Sequence, residues 1–537
     1  MQQIESQNQD KIDSFRTKLR SVLKTEKSNI AQIEYIDFNN NIQKLMGSQR
    51  IVVYGRKGTG KTTLLEQVKL HSSKDSIIPL FIDCKDYRNH SYPDLLIKIL
   101  LSLFENLDNV KINWYSKIMN KSLFKHEIKE LKKKLEQPDS LTKEMMIENS
   151  GQEEIKSEVS SKVIPYLNNS IGSKSTASEK QSEKYSITTS KIYYLEKELE
   201  NYKRKINEFT KNRKFSAVYL LLDEYYYVNK IDQPILIDYL YRLFFHTPCW
   251  IKLATNRYQT QLQEKKVDGG FYGMTEGEEY TTIDLDFTLE KFSSAEEFLR
   301  KIMNSIAKKS NIEKVGELFT DGAFKRIVWA SGGVTRDFIN LLIGVLDNIQ
   351  QNKKIDTKLI NYSAQKYFDE KLSDFSTEYE KSQKVRELWE KIFYFCIEIK
   401  KTTAFLVEVN PDAIDKRKNF QDLIDARLIH LVKKNITSKT HSGKRFNAYI
   451  LSVGSYAKYI GLRKRPIKEI NILRDDAKAG DSVFRYGTPI LKSNDLDKTN
   501  EELKSIEENE LKMVKKERNN LRELSEKAKI HLTLDRF

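Results

Sequence analysis

The sequence predicts an α/β fold built on a doubly wound parallel sheet. Three observations carry that expectation. A short apolar strand, Arg50-Ile51-Val52-Val53-Tyr54, runs straight into a glycine-rich turn and then a helix, TTLLEQVKLHS. A longer run, FSAVYLLLDE (215–224), is almost continuously apolar and ends in two carboxylates, as a strand buried on both faces reads. Further short apolar strands alternate with helical stretches in the same part of the chain, the order that gives a parallel sheet covered by helices.

In chain order, residues 1–29 read as a polar helix and linker, with no apolar stretch of the secretory type. The core is expected over 30–292. After the glycine turn it continues with the strand IIPLFIDCKDY (77–87) and the apolar helix PDLLIKILLSLFENL (93–107). An insertion at 110–214 interrupts it. Residues 115–137 and 191–213 have helical spacing with charged faces and can pair as an antiparallel hairpin projecting from the domain, or lie as two solvated surface helices. Between them, 138–190 holds twelve serines and few large apolar residues, which reads as a flexible or partly ordered segment. The core resumes at 215–224, followed by the helix PILIDYLYRLFF, the strand CWIKLATNR (249–257) and the strand YTTIDLDFTL (280–289). Residues 293–380 read as a helical lid. Over 381–462, helices precede the strand LIHLVKKNI, the turn TSKTHSGKR and the returning strand FNAYILSV, the pattern of a winged helix. A basic linker and a charged, half-coiled-coil-like helical tail fill 463–537.

Composition narrows the function classes. At 537 residues the chain has room for about three or four structural units. Hydrophobic residues at 39% suffice for real cores, and charged residues at 31% imply a large solvated surface. No apolar run reaches the roughly 20 residues of a membrane span. Cys84, Cys249 and Cys396 lie far apart, with neither metal spacing nor a disulfide framework, which fits a reducing, cytoplasmic setting. Lys plus Arg exceed Asp plus Glu by 92 − 76 = 16. Such a field favours polyanions such as nucleic acid, and equally keeps lysine-rich helices soluble.

The residues that carry chemistry begin with Gly55-Arg56-Lys57-Gly58-Thr59-Gly60-Lys61-Thr62-Thr63. Gly55, Gly58 and Gly60 let the backbone curl so that successive N–H groups face phosphate oxygens, and the following helix turns its positive end to the same anion. Lys61 can reach the β- and γ-phosphates of ATP, and the Thr62 hydroxyl can ligate Mg²⁺. A doubly wound fold binds ligands at the carboxyl ends of its strands, which is where Asp223 and Glu224 fall. Asp223 suits the metal, and Glu224 can orient and deprotonate the attacking water. Lys61 and Asp223 are 223 − 61 = 162 positions apart, a separation the insertion accounts for. Asn256 and Arg257 end the next strand, where one can position the water and the other offset charge on the γ-phosphate. Arg336 opens a helix after the turn Ser331-Gly332-Gly333-Val334-Thr335. Lys416, Arg417 and Lys418, with Lys439, Lys444 and Arg445 on the wing, can contact DNA phosphates, which would position the protein without reading sequence. The cluster Tyr225-Tyr226-Tyr227 reads as packing.

Taken together, the motifs resemble the AAA+ ATPases, in the branch of the origin-recognition-complex ATPases, over about residues 30–462. The stretch YLLLDEYYYVNKIDQPILIDYLYRL…WIKLATNR is also similar to a little-characterised group of bacterial P-loop ATPases. The resemblance implies a P-loop NTPase core with Gly55 to Thr63 as Walker A, Asp223 and Glu224 as Walker B, Asn256 as sensor 1 and Arg336 as sensor 2. A complete nucleotide site joined to a basic winged helix leads to the expectation of an ATPase that uses ATP and Mg²⁺ and acts with double-stranded DNA through the winged helix. A homo-oligomer is expected. No arginine stands between Arg257 and the strand at 280, so the usual trans-acting arginine finger is not evident. Arg257 falls where STAND-type signalling NTPases keep a γ-phosphate-sensing arginine. A nucleotide-controlled scaffold that recruits a protein effector through its insert or tail therefore stands as the alternative.

Overall fold

A computed structural model describes residues 2–23, 35–72, 76–110, 123–138, 140–148, 182–266, 269–287, 289–350, 353–377, 380–410, 412–437, 441–460 and 488–499, with Ile467 and Glu469. Its strands, in chain order, are β1 (Ile51–Tyr54), β2 (Ile77–Asp83), β3 (Ser140–Glu148), β4 (Ser182–Ser190), β5 (Ala217–Asp223), β6 (Cys249–Thr255), β7 (Gln263–Lys265), β8 (Phe271–Gly273), β9 (Thr281–Asp284), β10 (Ala404–Glu408), β11 (Ile429–Thr437) and β12 (Arg445–Leu451).

Five of these make one parallel sheet in the order β2-β5-β6-β1-β9. β5 shows why it holds. All seven of its residues are buried, and they alternate between two apolar clusters. Val218, Leu220 and Leu222 face the helices Asp94–Asp108 and Asp232–Phe244, whereas Ala217, Tyr219 and Leu221 face the helix Lys61–Ser72. Each such leucine contributes roughly 2 kcal/mol by leaving water. Asp223 continues the second series, so the period of the strand aims its carboxylate toward the start of the helix Lys61–Ser72. The register pairs Asp83 with Asp223, and Tyr54 with both Thr255 and Asp284, so the strands end along a common rim. β6 lies between β1 and β5, which puts the residues after its end between the glycine turn and the acid pair.

Of the insertion's serine-rich stretch, the two ends are described. β3 and β4 form a nine-pair antiparallel ladder, and residues 149–181 lie outside the described residues. The flanking helices Lys125–Leu135 and Lys191–Arg213 run antiparallel, since Lys205 meets Glu127 at 2.5 Å while Lys134 sits over the Tyr194 ring. They do not project freely. Phe124 stacks on Phe104 of the core, Tyr202 meets Phe104 edge-on and Phe209 packs on Phe124, Lys191 bonds Asp94 at 2.6 Å, and Arg242 bonds Glu196 through two guanidinium nitrogens. Aromatic residues spaced along the inner face draw the pair onto the sheet's helices.

Helices Phe292–Lys308, Ala323–Ala330, Thr335–Asn348 and Thr357–Thr377 occupy the stretch expected as a lid. The helix Gln2–Leu23, read above as a polar segment of its own, buries Phe15 and Leu19 fully in the lid's core, and Arg16 and Arg20 reach Asp347. The lid and the following region also share a single apolar cluster. A Cβ on Gly454 would come within 2.2 Å of the Ala364 carbonyl oxygen, so the helix Thr357–Thr377 lies directly on that backbone. The C-terminal region is a three-stranded antiparallel sheet, β10-β12-β11, with helices Glu380–Tyr394 and Lys418–Asp425. Residues 404–408, which the helical pattern had absorbed, form a strand because Ala404, Phe405, Leu406 and Val407 are all buried against β12. Of the tail, Pro489–Leu491 hydrogen-bonds to Leu406 on the free edge of β10. Residues 493–499 are helical, at the start of the expected tail helix, and residues 500–537 lie outside the described residues.

Candidate functional site

The glycine turn closes tightly at the end of β1. Gly58 and Gly60 have φ of +94° and +95°, values that ordinary side chains resist. A Cβ on Gly55 would lie 2.4 Å from the Thr59 hydroxyl oxygen. Gly55 N–H donates to the Thr255 carbonyl, tying the turn to β6. Lys61 opens the helix and is buried. Its ammonium folds back to donate to the Gly55 and Arg56 carbonyls at 2.8 and 3.1 Å. Burial pushes its pKa down, while Glu224, Asp223 and Asp286 support the charge. Arg56 anchors the turn. Its backbone and Nε donate to Asp286 Oδ1 at 2.9 and 3.1 Å, and Nη2 reaches the Gly332 carbonyl at 3.1 Å. Lys57 is exposed, and Thr62 and Thr63 are half-buried on the first helical turn.

The acids converge on the same place. Asp223 accepts from the Glu224 N–H at 2.9 Å, and the Thr62 hydroxyl lies near its carboxylate. Burial, with the like charge of Glu224, pushes Asp223 up to about 7, and Thr62 and the Lys61 charge offset this only in part. Thr62 and Asp223 are hard oxygen donors facing each other, one a buried carboxylate that a cation would neutralise, so the pair fits a magnesium ion that keeps several waters. Among the described residues no cluster of three or more His, Cys, Asp or Glu forms a dedicated metal cage. Glu224 sits at φ +54°, a strained position for a residue other than glycine, of the kind that gathers at working sites. Of the tyrosines after it, Tyr225 is packing, with its hydroxyl on the Gln233 carbonyl. Burial raises the Tyr226 pKa, and the nearby Glu224 carboxylate raises it further. That contact was not legible from the cluster.

The rest of the rim comes from farther away. Arg336 N–H donates to the Gly58 carbonyl at 3.3 Å, and a Cβ on Gly58 would lie 2.6 Å from Arg336 Cβ, so this arginine rests on the turn. Asn256 follows β6 as expected, but its amide donates to Asp425 Oδ1 at 2.8 Å, and Gln259 holds the other oxygen of Asp425 at 2.8 Å. Arg257 is turned elsewhere: its guanidinium lies 4.0 Å from the Tyr54 ring centroid, with Asp284 and Glu276 at 3.6 and 3.9 Å. The structure thus gathers Lys61, Thr62, Asp223, Glu224 and Arg336, ties Asn256 to the C-terminal region, and leaves Arg257 beside Tyr54.

Beneath Arg336 lies a buried ionic knot. Asp337 takes Lys371 at 2.6 Å and the Tyr367 hydroxyl at 3.0 Å, and lies 3.0 Å from Arg427 Nε. Burial alone would raise its pKa, yet Lys371 and Arg427 hold it below the ordinary value. Arg427 Nη1 donates to the Lys57 carbonyl of the glycine turn at 2.7 Å. His430 packs on the other side, so close that a Cβ on Gly332 would lie 2.3 Å from its ring. No periodicity marks Asp337, Asp425 or Arg427 as site residues, because only docking of distant elements brings them here. Asp286 was signalled faintly, as a carboxylate just past a strand end.

Strand, glycine turn, helix and a buried acid at a nearby strand end make this sheet consistent with a P-loop NTPase core. No protein-family model matches the chain, and no curated protein matches it. Among solved structures the chain is similar to a Walker-type ATPase of Pyrococcus abyssi, at 12% identity and a TM-score of 0.38, covering 79% of this chain and 96% of that one. So loose a likeness decides nothing about activity, which has to be read from the geometry.

Proposed function

We propose that the protein binds and hydrolyses ATP, and that its nucleotide state controls how the C-terminal region engages DNA. One observation carries the first part: Lys61, Thr62 and Asp223, separated by up to 162 positions, meet at one strand rim, close enough for Lys61 and Thr62 to act on the Asp223 carboxylate. In this reading the glycine turn and Lys61 hold the phosphates. Thr62 and Asp223 hold Mg²⁺, which supplies charge neutralisation on the phosphates when bound. Glu224 orients a water and accepts its proton as it attacks the γ-phosphorus, Tyr226 steadies Glu224, and Arg336 stabilises the charge that develops.

The second part is supported by the helix Lys418–Asp425. Eight residues rise only about 12 Å. One end carries Asp425 against Asn256, and the other follows the exposed triplet Lys416, Arg417 and Lys418. Lys444 pairs with Glu408, Arg445 is exposed, and Lys439 lies outside the described residues. A basic patch within one short helix of the nucleotide rim suits a phosphate contact that answers to nucleotide.

The competing reading is a STAND-type scaffold that oligomerises with ATP and recruits an effector, and the grip of the C-terminal region on Asn256 and Lys57 favours it. One set of measurements separates them. Glu224→Gln should keep ATP binding and lose turnover by about 100-fold or more. Lys61→Ala should weaken ATP binding by roughly 10- to 100-fold. Duplex binding by the wild type should depend on ATP and fall steeply between two salt concentrations. ATP-driven assembly with no duplex affinity would favour the scaffold, and unchanged ATP affinity in Lys61→Ala would remove the nucleotide reading altogether.

A further inference from the structure

We propose that Arg427 is a nucleotide-reading residue, a cation that the C-terminal region supplies in cis to the terminal phosphate of bound ATP. The inference rests on the nucleotide reading above and deepens it. It starts from the turn in which Arg427 sits. The helix Lys418–Asp425 is closed by Leu428 N–H on the Leu423 carbonyl and Arg427 N–H on the Ile424 carbonyl, a Schellman motif. Its left-handed position, where glycine is the usual occupant, is held by Arg427 at φ +61°. An arginine there has a backbone penalty that glycine would avoid, and the side chain so placed goes straight to the phosphate turn.

Its contacts fit a waiting group. The side chain is 13% exposed, and Nη1 donates to the Lys57 carbonyl at 2.7 Å. Nε is buried, 3.0 Å from Asp337 Oδ2, yet off the line of a hydrogen bond. Arg336 meets the next residue of the same turn through its backbone N–H on the Gly58 carbonyl. Two distant parts of the chain therefore meet the turn at adjacent residues, and at residue 57 the contact is made by a guanidinium. The remaining arginines near the site are already engaged, Arg56 with Asp286 and Gly332, and Arg257 with the Tyr54 face. A neutral carbonyl is a weaker acceptor than a phosphate oxygen for a guanidinium. When a γ-phosphate occupies the turn, Arg427 exchanges the Lys57 carbonyl for it. With ADP it has no such partner and keeps the Lys57 contact. Because Asp425 and His430 lie within three residues of Arg427, its shift moves the segment that grips Asn256 and packs on Gly332.

The test is the split between triphosphate and diphosphate. Affinities for a non-hydrolysable ATP analogue and for ADP, each with Mg²⁺, are measured by titration calorimetry on the full chain for the wild type, Arg427→Ala, Arg427→Gln, Arg427→Lys and Lys61→Ala. Arg427→Ala and Arg427→Gln should each lose about tenfold for the analogue with ADP changed less than about twofold, and Arg427→Lys should recover part of the loss. The glutamine variant keeps most of the side-chain volume, so it reports even where the alanine variant does not fold. Equal losses for both nucleotides, or none for either, would overturn the proposal, as they make Arg427 a prop of the turn or a bystander. Lys61→Ala should weaken both nucleotides. If it weakens neither, the nucleotide reading fails first, and that failure is distinct from a failure of Arg427 alone.

Discussion

The two walls of the candidate nucleotide cleft are built on different principles. The sheet wall, from Gly55 to Thr62 with Asp223 and Glu224, is fixed by backbone: strand register, glycine dihedrals and a helix that begins where the turn ends. Its key carboxylate is left short of positive charge, and burial raises Asp223 to about 7. The opposite wall, Arg336, Asp337, Asp425, Arg427 and His430, is fixed by side chains docked from distant elements. There Asp337 is paired with Lys371 and Arg427 and held below its ordinary pKa, while Asp425 rests on neutral amides. The difference teaches a division of labour. The sheet wall keeps a buried charge short of a partner, whereas the opposite wall is cross-linked from within and must break bonds to move. Three aspartates, one for each degree of pairing, give the means to break or sharpen that contrast.

The largest effect should come from Asp337→Ala. Removing it leaves Lys371 and Arg427 buried together without their anion. Breaking a buried pair in this way costs about 3–5 kcal/mol. Urea unfolding of the nucleotide-free protein should show that loss in the transition of the lid and C-terminal region. A loss below about 1 kcal/mol would mean the knot behaves as a surface pair, and the docked wall would then be held by apolar packing alone.

Asp223→Asn should act in the opposite direction on stability. An amide has no charge to bury, so without Mg²⁺ the variant should be more stable than the wild type at pH 8, by roughly 2 kcal/mol. The same substitution should abolish the added stability that Mg²⁺ with ATP confers on the wild type, seen as a rise in thermal midpoint. If Asp223→Asn destabilises the metal-free protein, its carboxylate is serving the fold and not an absent cation.

The contrast also explains what the sequence could and could not say. The parallel sheet, the glycine turn and the acid pair were legible because each is a local pattern: continuous apolar strands, glycines at positive φ, carboxylates at a strand end. The convergence of Lys61 with Asp223 was expected from the rule that a doubly wound sheet gathers its ligand groups at the carboxyl ends of its strands. The docked wall has no such pattern. Asp425 and Arg427 sit in an ordinary helix end, and nothing in KNFQDLIDARL distinguishes residues that face Asn256 and Lys57 from residues that face water. The same reason hid the docking of the helix Gln2–Leu23, because Phe15 and Leu19, its two buried residues among those whose side chains are described, are too few to outweigh a polar composition. β10 was hidden because five residues are too short to show a period.

The smallest effect, and the one that isolates the docked wall, belongs to Asp425. Burial raises its pKa from 3.8 to about 6, and the amides of Asn256 and Gln259 offset this only in part. Between about pH 4 and 6 the folded protein therefore binds more protons at this site than the unfolded chain, and stability falls as pH rises through that window. His430 works the other way. Burial keeps its ring neutral, so the unfolded chain alone takes up a proton below about 6.5 and stability rises with pH. The raw pH curve mixes the two, but subtracting wild type from Asp425→Asn removes His430. That difference should grow in favour of the variant by about 1 kcal/mol from pH 4 to pH 6.5 and then level off, a value kept small because Asp425 retains contact with solvent. A difference curve flat across this range would mean that Asp425 holds Asn256 without any electrostatic penalty. The docked wall would then be no easier to release at neutral pH than in acid, and charge would not be what sets it apart from the sheet wall.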